Sequence, residues 1–171
     1  MKINKEIISK LPRDYVFITG TFDLDAPYFK KRIEEGVKVS SLNYKTNVHG
    51  QRTEWKFFNK DEKLGLFFLH VIDYIDNLNL LLKPFYLHDC WGLIERFGDY
   101  TKKHNHGCSL FSGVLYLNNH SQKLYFPEIK EEVTPTTGGF VLFNSFLTHY
   151  TQRNITHKEK YAISFNFHEN L

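Results

Sequence analysis

Residues 104–118 read HNHGCSLFSGVLYLN and residues 140–149 read FVLFNSFLTH. The first stretch sets two imidazoles one residue apart and then runs into an apolar segment interrupted by Ser112 and Gly113. In an extended chain residues i and i+2 share a face, so His104 and His106 can converge on one metal ion. A third ligand then comes from elsewhere in the chain. His149 is the best candidate, because the strand signals between the two stretches return the chain to the same barrel mouth.

The stretch KYAISFNF, residues 160–167, carries the same logic further. Alternation puts Tyr161, Ile163, Phe165 and Phe167 on one face and Lys160, Ala162, Ser164 and Asn166 on the other. The first face is expected to pack against helices, the second to line a polar cavity. Over residues 110–118 the alternation groups Ser112, Val114, Tyr116 and Asn118. A cavity holding imidazoles, a lysine and a phenol suits a metal ion beside an anion. Neutral imidazoles suit iron, zinc, copper or nickel, and Lys160 offers a point charge for a carboxylate.

Outward from these stretches, the chain is β-rich from Pro84 to its end. Strands are expected near 85–97, 110–118, 123–126, 140–146 and 161–167, with turns at Gly98-Asp99 and Asn119-His120-Ser121 and an acidic connector over 127–139. Upstream, residues 14–21 read as a strand, and Asp25-Ala26-Pro27 opens a helix that is expected to stop at Gly36. Residues 43–55, NYKTNVHGQRTEW, read as a loop or edge strand lying over a site, with Gln51, Arg52 and Trp55 in reach of a substrate. Leu64, Phe67, Phe68, Val71, Ile72, Ile75, Leu78 and Leu82 recur at helical spacing, so 60–82 is expected to be an amphipathic helix, capped by Asn59 with Glu62. The fold class is mainly β with buttressing helices, a sandwich or jelly roll.

Composition narrows the function. A chain of 171 residues is one domain, with 1–83 as helical support and lid and 84–171 as the β core. Its 42% hydrophobic and 16% aromatic content describes a globular core built on flat rings. A net charge of +3 gives no electrostatic case for nucleic acid. No apolar run approaches the ~20 residues of a membrane span. Cys90 and Cys108 make no disulfide framework, and the N-terminal stretch has no secretory apolar region, so a reducing cytoplasm is expected.

On these residues the chain resembles the iron(II)- and 2-oxoglutarate-dependent oxygenases, in particular a small phage and bacterial group that looks similar to prolyl hydroxylases. That group's pattern of H-x-D/E or H-x-H, then SGVxYL, then PxxGxLxLFxSxxxH, then RxxISFN is matched here by HNH, SGVLYL, PTTGGFVLFNSFLTH and KYAISFN, within residues 100–167. The resemblance implies a cupin-like double-stranded β-helix holding Fe(II) by His104, His106 and His149. It implies 2-oxoglutarate as co-substrate, its far carboxylate on Lys160 with a hydrogen bond from Tyr116, and O2 as oxidant. The implied reaction is hydroxylation of a peptide or small molecule with release of succinate and CO2. The implied setting is the cytoplasm, that of the host for a phage-encoded member.

Two departures from the pattern matter. His106 stands where most of the superfamily has a carboxylate, which leaves a bound metal one more positive charge. Lys160 stands where the group has arginine, replacing a two-pronged donor by one charge, with Arg153 near enough in sequence to substitute. A cupin-like metal-binding module without oxygenase activity shares the H-x-H and distant His, and is the alternative. A groove lined by Trp91, Gln51 and Asn166 would suit a peptide or sugar.

Overall fold

The computed structural model describes residues 1–9, 15–41, 46–79 and 84–170. The larger sheet has seven strands: β1 (Lys2–Ser9), β2 (Tyr15–Thr21), β4 (Gln51–Arg52), β5 (Phe85–Glu95), β7 (Phe111–Tyr116), β10 (Gly139–Asn144) and β12 (Lys160–Glu169). Their order is β1-β2-β10-β7-β12-β5-β4, every neighbour antiparallel. A smaller sheet, ordered β11-β8-β9, contains β8 (Leu124–Phe126), β9 (Glu131–Val133) and β11 (Tyr150–Thr151). A two-stranded ribbon joins β3 (Val48–His49) to β6 (Tyr100–Thr101). The two helices are α1 (Ala26–Val39) and α2 (Glu62–Asn77).

The two faces of the large sheet are buried against different things, and alternation decides which side chain goes where. Tyr161, Ile163, Phe165 and Phe167 share a core with Phe29, Ile33, Phe67, Phe68 and Val71 of the helices. On the opposite face Phe17, Tyr116, Val141, Phe143 and Ala162 meet Leu124, Phe126 and Val133 of the small sheet. The helices therefore buttress one side of the large sheet while the small sheet closes the other. Burying each large side chain contributes about 1.5–3 kcal/mol. Phe67 alone sets its ring edge-on to those of Phe22, Phe140 and Phe165.

Gly113 lets this packing close, since a Cβ there would lie 2.2 Å from the Phe165 ring and 2.8 Å from the Val141 carbonyl oxygen. Gly36 departs from the expectation that it stops α1. The helix continues to Val39, and Gly36 sits buried inside it because a Cβ would lie 2.7 Å from both the Phe57 ring and the Thr53 methyl. It is a contact glycine, not a cap. The cap of α2 also moves by two residues from the expected Asn59: Asp61 accepts from the backbone N–H of Lys63, while Asn59 donates from its amide to the His88 carbonyl. Leu82 and the rest of the expected helix end over 80–83 lie outside the described residues.

β1, β6, β9 and β11 are strands that the sequence pattern does not announce. Three of them are two or three residues long, too short for a periodicity to form. In β1, KINKEIIS, polar residues dominate because it is an edge strand paired only with β2. A bulge in β5 opposite Asn166 and Phe167 leaves His88 as the extra residue, beside Asp89. Among the described residues no helix is long and apolar enough to cross a membrane. Cys90 is buried, Cys108 is exposed, and both are free thiols.

Candidate active site

Between the sheets lies a pocket lined from the large sheet by Trp91, Glu95, Tyr116 and Lys160 and from the other side by Leu124 and Thr151. The end that carries three histidines is assembled by backbone pairing. His104 and His149 form an isolated antiparallel bridge, each N–H donating to the other's carbonyl at 3.1 and 2.9 Å. The next turn is fixed by the His106 N–H, which donates to the Ser145 carbonyl at 2.8 Å. Period two then sets His106 beside His104. The three ring centroids lie 4.3 to 5.2 Å apart, and one nitrogen from each ring falls within 4.8 Å of the others.

The orientation of two rings is set by carbonyls. His104 Nδ1–H donates to the Lys102 oxygen at 2.8 Å, and His149 Nδ1–H donates to the Leu147 oxygen at 3.0 Å. Both rings thus carry their proton on Nδ1 and present the Nε2 lone pair inward. Burial among apolar groups keeps the rings neutral. It lowers the His104 pKa against the opposing Lys102 bond, and takes His106 down to about 4, helped by His104, and His149 down to about 3. Phe143 and Phe126 pack against the His149 ring at 4.8 and 5.8 Å. Neutral imidazoles with inward lone pairs are the donor set that a divalent transition metal needs, so the residues present fit such an ion.

The far end of the pocket is different from the expectation. Lys160 lines it, as alternation along β12 requires, but its ammonium is ion-paired with Glu95, its register partner on β5. Lys160 is 3% exposed and Glu95 0%. The other Glu95 oxygen accepts from the hydroxyls of Thr101 and Thr151 at 3.2 and 3.4 Å. Tyr116 also lines this end; burial and the nearby Glu95 raise the pKa of its phenol, and among the described residues its hydroxyl has no hydrogen-bond partner. Arg153 is no substitute: it is exposed, donates to the Gly98 carbonyl at 3.0 Å and lies over the Tyr100 ring.

Glu95 is the residue that the sequence reading passed over. Its signal was the same alternation, since Trp91, Leu93 and Glu95 all face the pocket from β5, and a carboxylate on the inner face of an apolar strand demands a partner. Trp91 also carries a signal of its own: its indole N–H is buried with no acceptor among the described residues. Between the two ends, the Ser112 hydroxyl donates to the Asn166 side-chain oxygen and lies 2.7 Å from the Ser145 hydroxyl. This ties the inner face of β12 to the residue that holds His106.

Around the mouth, a wider depression includes Trp55, Lys56, Asp89, Asn105 and Asn166. Arg52 stacks its guanidinium on Trp55 at 3.8 Å, and Trp55 meets Trp91 edge-on. Gln51 turns outward and accepts from Arg96. A second cluster, His88, Asp89 and His168, brings ligand atoms within 4.8 Å of one another. It is half-exposed and the two imidazoles stack face to face, whereas the first cluster looks into the pocket.

No protein-family model matches the sequence, and no curated protein matches it either. Solved structures do match. The viral collagen prolyl hydroxylase of Paramecium Bursaria Chlorella virus-1, in its 2-oxoglutarate complex, aligns with a TM-score of 0.72 at 13% identity, over 91% of this chain and 96% of that one. A Pseudomonas putida prolyl-4-hydroxylase aligns with a TM-score of 0.66 at 18% identity, over 91% and 93%. HygX from Streptomyces hygroscopicus, with nickel and 2-oxoglutarate bound, aligns with a TM-score of 0.63 at 11% identity, over 89% and 82%. Likeness at such low identity speaks to architecture, and taken with two facing antiparallel sheets buttressed by helices it shows that the chain has the double-stranded β-helix fold of the 2-oxoglutarate- and iron(II)-dependent oxygenases.

Proposed function

We propose that this chain is a non-heme Fe(II)- and 2-oxoglutarate-dependent dioxygenase that hydroxylates a peptide or small molecule. The observation that carries this reading is the convergence of three neutral imidazoles, two with their Nε2 lone pairs set inward by carbonyls, at one end of a pocket with a lysine at the other. His104, His106 and His149 would hold the metal. Lys160 and Tyr116 would receive the far end of the co-substrate. Iron and a 2-oxo acid, when bound, supply O2-dependent hydroxylation coupled to loss of CO2 and formation of succinate.

The chain's own residues supply the rest. Carbonyl-held Nδ1 protons fix the ring planes before anything binds, so little ordering is left for the moment of binding. Phe126 and Phe143 exclude water from behind His149, and the Asn166–Ser112–Ser145 contacts hold the inner surface on which the co-substrate would lie. The depression bordered by Trp55 and Asp89 leads toward His106, so substrate is expected to approach from that side. Two of the similar structures are prolyl hydroxylases, which favours a prolyl or peptidyl substrate as the first to screen.

The test is succinate formation by Fe(II)-loaded protein in air with 2-oxoglutarate, followed by mass spectrometry of candidate prolyl peptides and small molecules for a gain of one oxygen. Metal-dependent succinate that disappears in His149→Ala supports the reading. A protein that binds metal tightly and forms no succinate with any substrate would instead be a cupin-like binding module.

A further inference from the structure

We infer that Glu95 sets the co-substrate selectivity of the pocket: by holding the Lys160 ammonium in an ion pair it removes the net charge that would single out a second carboxylate. 2-Oxo acids with and without a charged far end therefore bind comparably. This rests on the reading of the pocket as a 2-oxo acid site.

The inference stands on position and charge. Glu95 and Lys160 are cross-strand partners on β5 and β12, both essentially without solvent. Both side chains line the pocket. Water screens them little, so the charge at this end is the sum of the two groups, which is zero. Glu95 is further held by the hydroxyls of Thr101 and Thr151. The Thr151 hydroxyl in turn accepts from the Thr101 N–H at 2.8 Å and from the Gln122 amide at 3.3 Å. Four residues from four segments, Lys160, Thr101, Thr151 and Gln122, thus keep the carboxylate where a ligand's carboxylate would sit.

An incoming dicarboxylate meets two opposed terms: attraction to Lys160 and repulsion from Glu95. A repulsive group placed against one ligand class is a specificity device as much as an attractive one. A 2-oxo acid with an apolar end avoids both terms. It finds Val114, Leu124 and Ala162 among the lining residues, and leaves the Glu95–Lys160 pair intact. Such a ligand loses nothing for lacking the second carboxylate.

The experiment compares 2-oxoglutarate with 2-oxopentanoate, which has the same carbon count and a methyl end. Each is titrated anaerobically into Fe(II)-loaded full-length protein, and binding is read from the visible charge-transfer band. In the wild type the two dissociation constants are expected to agree within about threefold, a difference below one kcal/mol. In Glu95→Gln the Lys160 charge is uncompensated, and 2-oxoglutarate is expected to tighten by tenfold or more while 2-oxopentanoate moves little. The Glu95→Gln/Lys160→Met variant, neutral and of similar volume, keeps a folded comparison and is expected to show no gain for 2-oxoglutarate.

A wild-type preference for 2-oxoglutarate above about tenfold overturns the inference without any variant. So does a gain in the double variant equal to that in Glu95→Gln, because the gain would not act through Lys160. If Fe(II) binds and neither acid produces a band in any variant, the 2-oxo acid reading itself fails, and the inference with it.

Discussion

At the scale of single residues, an imidazole whose Nδ1 proton is held by a carbonyl has only its Nε2 lone pair left to offer, and His104 and His149 are both in that state. His149→Ala is expected to lower metal affinity by orders of magnitude and to leave the far-ultraviolet circular dichroism unchanged, because its backbone bridge to His104 survives the substitution. Retained stoichiometric metal in calorimetry would remove His149 from the site. The lowered pKa values of these rings also predict a pH dependence. Unfolded imidazoles take up protons below about 6.5, whereas half-buried His106 and buried His149 stay neutral down to about 4 and 3. The unfolded state therefore binds more protons as pH falls, and this contribution to stability, full above 6.5, is lost between 6.5 and 3. The urea midpoint of metal-free protein should drop between pH 7 and pH 5, and drop less in His106→Asn/His149→Asn. Parallel pH profiles for the two proteins would show that the rings are not the cause.

The residue scale is also where the sequence was most informative and where it hid most. Two-residue alternation was enough to group Lys160, Ala162, Ser164 and Asn166 on the pocket side of β12 and to bring His104 next to His106. The partner of Lys160 was not legible from that strand, because it depends on the register between β5 and β12. Register is a property of two strands, and neither sequence alone states it.

At the scale of elements, α2 stabilises the large sheet through one apolar stripe, and Phe67 is its fully buried centre. Phe67→Ala is expected to cost about 3–5 kcal/mol in denaturant unfolding. Leu69→Lys, on the exposed side of the same helix, should change stability by less than about 0.5 kcal/mol. Equal losses in the two variants would mean that the helix does not present this face to the sheet. Gly113→Ala tests the close approach of Phe165 to β7: a Cβ at 2.2 Å has to displace the ring, so a loss above about 1 kcal/mol is expected. An unchanged midpoint would show that the ring gives way freely.

Longer elements with a buried face are legible in the sequence: helical spacing marks α2, alternation marks β7 and β12, and strand composition marks β5 and β10. β6, β9 and β11 are fixed by pairing and not by pattern; β9 falls in the expected acidic connector, and no element is expected over β6 or β11. The apparent stop signal at Gly36 failed for a related reason, since what selects glycine there is the Phe57 ring of another segment.

On the scale of the whole molecule, the fold explains why residues far apart in sequence share a pocket. β5, β7 and β12 are adjacent in the large sheet and supply Glu95, Tyr116 and Lys160. The His104–His149 bridge lies at the opposite end. One end gathers three imidazoles and the other carries a balanced pair of charges. The central claim is that these ends act together on an iron-bound 2-oxo acid. Its most direct test is an anaerobic titration of the full chain with Fe(II) and then 2-oxoglutarate, watched in the visible range. A charge-transfer band that appears only after the second addition, and is absent in His149→Ala, is the predicted result; iron bound without any band, or a band that persists in His149→Ala, would contradict it.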